Sequence, residues 1–211
     1  MDNFITEKKY RINVEGVWYT DYIYDNVQRY DKSVVGIREI DRHITRNIVI
    51  DKKDIVEGFS LEDGRKLFSI ENTVIWSRVH EDYLIIKNDN DNFYIFFDDK
   101  QKVFGPFVYV NQMASYDYVL LTKYIKDKDA IREVKGIYNQ YGDIILPIKF
   151  DEITINDSNC TFNVTKKGKK GIYDIDGKCI IKPIYDDVAF FGKDNEFVKT
   201  YTEANSKYRV F

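Results

Sequence analysis

The feature that most restricts this chain is self-similarity. GIYNQYGDIILPIKFDEI, starting at Gly136, returns as GIYDIDGKCIIKPIYDDV, starting at Gly171. Each copy spaces two glycines by five residues (Gly136 and Gly142, Gly171 and Gly177). A β-branched run to a proline follows, Pro147 or Pro183, then an aromatic–acidic pair, Phe150-Asp151 or Tyr185-Asp186. In the second copy one extra residue precedes the proline, which reads as a bulge or a longer turn. A chain that repeats itself at this length folds as an array of small units. Each unit is too thin to bury its own apolar face, so neighbours must stack.

Weaker copies lie upstream. GFSLEDGRKLFSI keeps the spacing of Gly58 and Gly64 but has Ser69 at the proline position. FFDDKQKVFGPFVY keeps Pro106 and replaces the second glycine with Gln101. Ile23-Tyr24-Asp25-Asn26-Val27 matches Ile184-Tyr185-Asp186-Asp187-Val188. Anchors at Ile23, Ile70, Phe107, Ile148 and Ile184 mark about five units of roughly forty residues in a single domain spanning 1–211.

Within a unit, short runs such as YLIIKN, YVLLTKY and TFNVTKK read as strands joined by polar turns. The second glycine falls where a tight turn needs positive φ. Proline cannot donate to a ladder, so it ends a strand or lies at an edge. Aromatics make up 16% of the chain, Ile and Val are frequent and Ala is scarce, which favours strands over helices. The expectation is an all-β fold of tandem antiparallel meanders with three to four strands each. The chain starts on an incomplete unit and ends on a strand-like segment (207–211) that could complete it. A closed, propeller-like ring is therefore taken ahead of an open β-solenoid, since closure removes exposed edges.

The frame Gly-x5-Gly, Pro-x-aromatic-Asp, then Phe191 and Glu196-Phe197-Val198, resembles the WG-repeat family of bacterial β-repeat proteins. The likeness is clearest over 130–211. The family's signature tryptophan before the first glycine is replaced by Lys135 and Lys170. The resemblance implies a β-repeat architecture with an interaction role and no general catalytic activity.

Charge narrows the function classes. Charged residues make up 32% of the chain and nearly cancel, leaving −3. A dedicated nucleic-acid binder has a strong basic excess, so nucleic acid is not the expected partner. Cys160 and Cys179 are too few for a disulfide framework or a zinc site. The start lacks a signal-peptide core and no apolar run spans a bilayer, so a soluble, cytoplasmic protein without a membrane role is expected. Phosphate-loop, nucleophile-elbow and zinc-helix motifs are absent from the sequence.

Several clusters hold side chains capable of chemistry. Asn88-Asp89-Asn90-Asp91-Asn92 is oxygen-rich, but it lacks the glycine and distal glutamate of a calcium loop and reads as a hairpin turn. Asp25, Asp151-Glu152 and Asp186-Asp187 could serve as acid and base. They recur at one repeat position, however, which points to a structural role. Lys166-Lys167-Gly168-Lys169-Lys170 reads as a charged hairpin tip. The least repeat-like stretches are 28–57 and 110–135. The first carries Arg38, Arg42, His43 and Arg46. Another polar–aromatic cluster holds Trp76, Arg78 and His80, where an aromatic platform and a guanidinium could receive a partner. These seven residues are the candidate binding set. The function expected is a non-enzymatic module that binds another protein, as an inhibitor, an immunity protein or an adaptor. The alternative is a carbohydrate- or nucleotide-binding protein using Trp18, Trp76, Tyr94 and nearby arginines. No cofactor or metal is expected.

Overall fold

A computed structural model describes residues 13–14, 17–18, 26–45, 48–79, 81–113, 117–127, 130–191, 197–202 and 207–210. These residues form twenty strands and no helix. All paired strands are antiparallel neighbours in sequence, and among the described residues no sheet closes on itself. The chain divides into two compact units, one of Met1–Val110 with Gln140–Gly142, the other of Asn111–Asn139 with Asp143–Phe211.

The first unit opens with a short pair, β1 (Asn13–Val14) and β2 (Val17–Trp18). A seven-stranded sheet follows: β3 (Asn26–Arg29), β4 (Ser33–Thr45), β5 (Ile48–Ser60), β6 (Lys66–Val79), β7 (Tyr83–Asn88), β8 (Phe93–Phe97) and β9 (Lys102–Phe107). It is two meanders sharing one strand. The first part of β6 pairs β5 (Gly58↔Phe68, Val56↔Ile70), and its later part pairs β7 (Val74↔Lys87, Ile75↔Ile86). Thr73 is the branch point, opposite Asp54 on one side and Asn88 on the other. It is fully buried and its hydroxyl donates to the Asp54 carbonyl at 3.0 Å. The core joins both meanders through Tyr30, Val35, Val56, Leu84, Ile86 and Phe96.

The second unit repeats more regularly. One sheet holds β10 (Tyr109–Met113), β11 (Tyr118–Asp127), β12 (Ala130–Asn139) and β13 (Ile144–Phe150). The next holds β14 (Glu152–Asn156), β15 (Thr161–Lys166), β16 (Lys169–Asp174) and β17 (Cys179–Tyr185). The last holds β18 (Asp187–Phe191), β19 (Phe197–Thr202) and β20 (Lys207–Val210). The tandem meanders expected from the repeat are therefore present, five among the described residues when the seven-stranded sheet is counted as two. The anchors Ile70, Phe107, Ile148 and Ile184 each fall in the last strand of a meander; Ile23 lies outside the described residues. The strand that opens each new sheet of this unit after an aromatic–acidic pair is the one the sequence does not announce.

The cores of the second unit lie between consecutive sheets. Ile137, Leu146 and Phe150 meet Ile153, Phe162 and Val164, and Ile172 and Ile181 meet Val198. Such a side-chain pattern follows from strand alternation: residues two apart share a face, and only one face can be apolar and stacked.

The residues shared by the two regular copies have separate jobs. Lys135 opposes Phe150 and Ile137 opposes Leu146, so Gly136 alone faces three bulged residues including Pro147. Lys170↔Tyr185 and Ile172↔Ile181 place Gly171 across an equal bulge containing Pro183. The two last strands have equal length, so the residue gained before Pro183 is absorbed inside the bulge. A Cβ on Gly171 would sit 2.6 Å from the Ile181 carbonyl oxygen and the Pro183 nitrogen, and one on Gly136 would sit 2.8 Å from the Ile148 backbone. These glycines are needed for close backbone approach. The second glycines adopt the expected left-handed turn, at φ 83° for Gly142 and 82° for Gly177, and Gln101 holds the same conformation at 48°.

Candidate functional site

The acidic pairs are engaged in the scaffold. Lys135 Nζ lies 2.9 Å from Glu152, and Lys170 Nζ lies 2.8 Å from Asp187. Each link runs from the third strand of one sheet to the first strand of the next. Burial works against the Lys135 ammonium, but hydrogen bonds to Glu152 and Glu133 outweigh it and hold its pKa above the ordinary lysine value. The Lys170 hydrogen bond lowers the Asp187 pKa below the usual carboxylate range. Asp151 accepts from Arg132 at 2.8 Å and from the Lys167 backbone amide, while Asp186 accepts from Lys169. The lysine run thus forms a hairpin whose two-residue turn, Lys167-Gly168, has positive φ at both positions, with the charges of Lys169 and Lys170 drawn into these pairs. The Asn88–Asn92 segment is a hairpin turn: the Asn88 side-chain oxygen accepts the amides of Asn90 and Asn92. Among the described residues no group of three His, Cys, Asp or Glu is placed to hold a metal ion, and no helix is long and apolar enough to cross a membrane. Both cysteines are free and exposed.

The irregular stretches become extended hairpins. In β15–β16 the pairing ends two residue pairs past the Val164↔Gly171 step, at Lys166↔Lys169. In β11–β12 it continues six pairs past Leu121↔Gly136, to Asp127↔Ala130. The segment read as a polar turn, IKDKDAIREVK, is therefore mostly paired strand. Its exposed face carries apolar side chains: Tyr124 is 60% and Ile131 76% exposed. Register puts Tyr124 opposite Glu133 and Ile131 opposite Lys126, so the two apolar groups share one face of the ribbon. Arg132, paired with Asp151 and 3.8 Å from Asp127, ties the ribbon to its base. The spacing from Tyr118 to Gly136, longer than that from Thr161 to Gly171, was the signal in the sequence.

The β4–β5 ribbon is longer still, pairing onward from Glu39↔Asp54 to Thr45↔Ile48. Arg38, Arg42 and His43 lie on β4 opposite Ile55, Lys52 and Asp51. Trp76 and Arg78 lie on β6, in an irregularity where residues 76–78 face Ile85 alone. The side chains of these five residues, and Arg46 and His80 altogether, lie outside the described residues. Tyr94, one aromatic of the alternative ligand pocket, packs instead against the first unit's core.

The sequence matches no family model and no curated protein. Among solved structures, a crystal structure of HIRA(644-1017) is similar at a TM-score of 0.26 with 6% identity, over 88% of this chain and 52% of that one. This chain thus spans about half the length of that protein's solved chain, and a likeness so slight does not bear on function.

Proposed function

We propose that this chain is a non-enzymatic protein-interaction module, of an inhibitor, immunity or adaptor kind, built on a WG-like repeat and working in the cytoplasm without a cofactor. The β11–β12 ribbon carries the reading. A hairpin lengthened beyond its sheet, with Tyr124 and Ile131 exposed on one face, presents apolar area that its own fold does not use. Aromatic and aliphatic side chains on a rigid element are the usual anchors of a protein interface. The engagement of Asp151, Glu152, Asp186 and Asp187 in ion pairs supports the structural reading of the acids over the catalytic one.

The test is affinity capture from native lysate with the wild-type chain and with Tyr124→Ser/Ile131→Ser. The wild type should recover a near-stoichiometric protein that the variant loses, while both melt at the same temperature. Equal recovery by both would remove the ribbon from the interface.

A further inference from the structure

Three turns at one end of the first unit's sheet meet around Lys32. Its carbonyl accepts from the Leu61 amide at 2.9 Å and from Gln101 Nε2 at 3.0 Å. Its amide donates to Asp98 at 2.8 Å, its ammonium pairs with Asp99, and the neighbouring Ser33 hydroxyl also donates to buried Asp98. The β3–β4, β5–β6 and β8–β9 turns are thereby held in one arrangement before any ligand arrives. Between them lies a cleft of ≈ 610 Å³.

The lining is unlike an ordinary apolar pocket. Leu61 is its one hydrophobic residue; the carboxylates of Asp31, Glu62 and Asp99 are interspersed with the cations of Lys32, Arg65 and Lys100. The repeat explains none of this. Gln101 stands where the regular copies have a turn glycine, in a left-handed conformation that costs a side-chain-bearing residue about 1 kcal/mol. The side chain it brings bridges the Lys32 carbonyl and Arg65, whose Nη2 is 3.4 Å from Oε1.

Charge balance selects the ligand. Lys32 and Lys100 both lie against Asp99, Lys100 at 3.8 Å, so part of the lining is paired internally; a simple anion would still face the carboxylates of Asp31 and Glu62, and a simple cation the guanidinium of Arg65. A molecule with both charges, spaced apart, satisfies the two sets together. Arg65 spends Nε on Asp63 at 3.2 Å and a long bond on Gln101, which leaves further donors of its fork for a carboxylate. We propose that this cleft binds a small zwitterion of amino-acid to dipeptide size, its carboxylate taken by Arg65 and Lys100 and its ammonium by Asp31 and Glu62. The site is open and its charges are exposed, so binding is modest and weakens with salt. It is independent of the β11–β12 ribbon, and either can fail without the other.

The test is an amide NMR titration of the full chain with glycylglycine, using acetate and ethylammonium as half-ligands. Saturable shifts are expected at residues 31–32, 61–65 and 99–101, with each half-ligand at least about tenfold weaker. Arg65→Ala should lose about tenfold through the missing charge-assisted bonds, and Gln101→Gly should weaken binding by loosening the three turns. The site is overturned if glycylglycine gives no saturable shift, if acetate alone binds as well, or if Arg65→Ala leaves the affinity unchanged.

Discussion

The two units run the same frame with different punctuation. Where proline stands near the end of a meander, at Pro106, Pro147 and Pro183, the last strand stops within a few residues and a new sheet begins. Where Ser69 stands instead, β6 continues to Val79, 14 residues in all, and serves two meanders. Proline has no amide hydrogen to donate and favours bulges and strand ends, whereas serine continues the ladder. One residue type therefore separates stacked sheets from a fused one. The regular copies use their glycines, acids and hairpin-tip lysines as scaffold, while the altered copies of the first unit carry the fused strand and the charged cleft.

The sharpest test lies at the first glycines. Gly171→Ala would push a Cβ into the bulged backbone at 2.6 Å, which cannot move aside cheaply. The expected cost is about 3 kcal/mol in urea denaturation. At Gly58 a Cβ would meet the ring of Phe68, a side chain that can swing, so Gly58→Ala should cost only about 1–2 kcal/mol. Equal losses would mean that the two units use this glycine alike.

A smaller contrast sits three residues before the turn glycine or its replacement. Asp174 caps its own exposed turn, accepting the Lys178 amide at 2.7 Å. Asp98, at the same place in the frame, is buried and holds Lys32 and Ser33 instead. Asp98→Ala should cost about 2 kcal/mol by stranding buried donors, and Asp174→Ala about 1 kcal/mol or less. If Asp174→Ala proved the costlier, Asp98 would not be what locks the three turns.

The weakest expected effects are those of the sheet-to-sheet ion pairs. Lys170→Met should cost below about 1 kcal/mol, because both partners are about half exposed. Lys135→Met should cost more, since that side chain is only 16% exposed. The pKa of Asp187 is lower folded than unfolded, so its contribution is present above the ordinary carboxylate range and disappears as acid takes the pH down through the lowered value. A stability–pH profile of Lys170→Met against wild type should show the difference shrinking in acid and in high salt. A difference that grew in acid would reverse the assignment.

Much of the scaffold was legible because its causes are local. Positive φ at Gly142 and Gly177, the Asn88 turn and the Lys167-Gly168 hairpin depend on a few consecutive residues, and their sequences announce them. The long hairpins were harder to read. Residues 125–135 are so polar that they resemble a turn, yet 125–127 and 130–135 are paired strand. The charged cleft was not legible at all. Lys32, Arg65 and Gln101 are far apart in sequence and meet only because three turns end at one side of a sheet.

The sequence by itself determined that this chain is a row of antiparallel meanders, because a frame of glycine, proline and aromatic–acidic residues restricts the backbone wherever it recurs. Only the tertiary structure decided which meanders fuse, that Lys135 and Lys170 clip one sheet to the next, and where unlike turns converge. Those outcomes depend on register and stacking between strands distant in sequence. A one-residue shift in pairing would send every side chain to the opposite face.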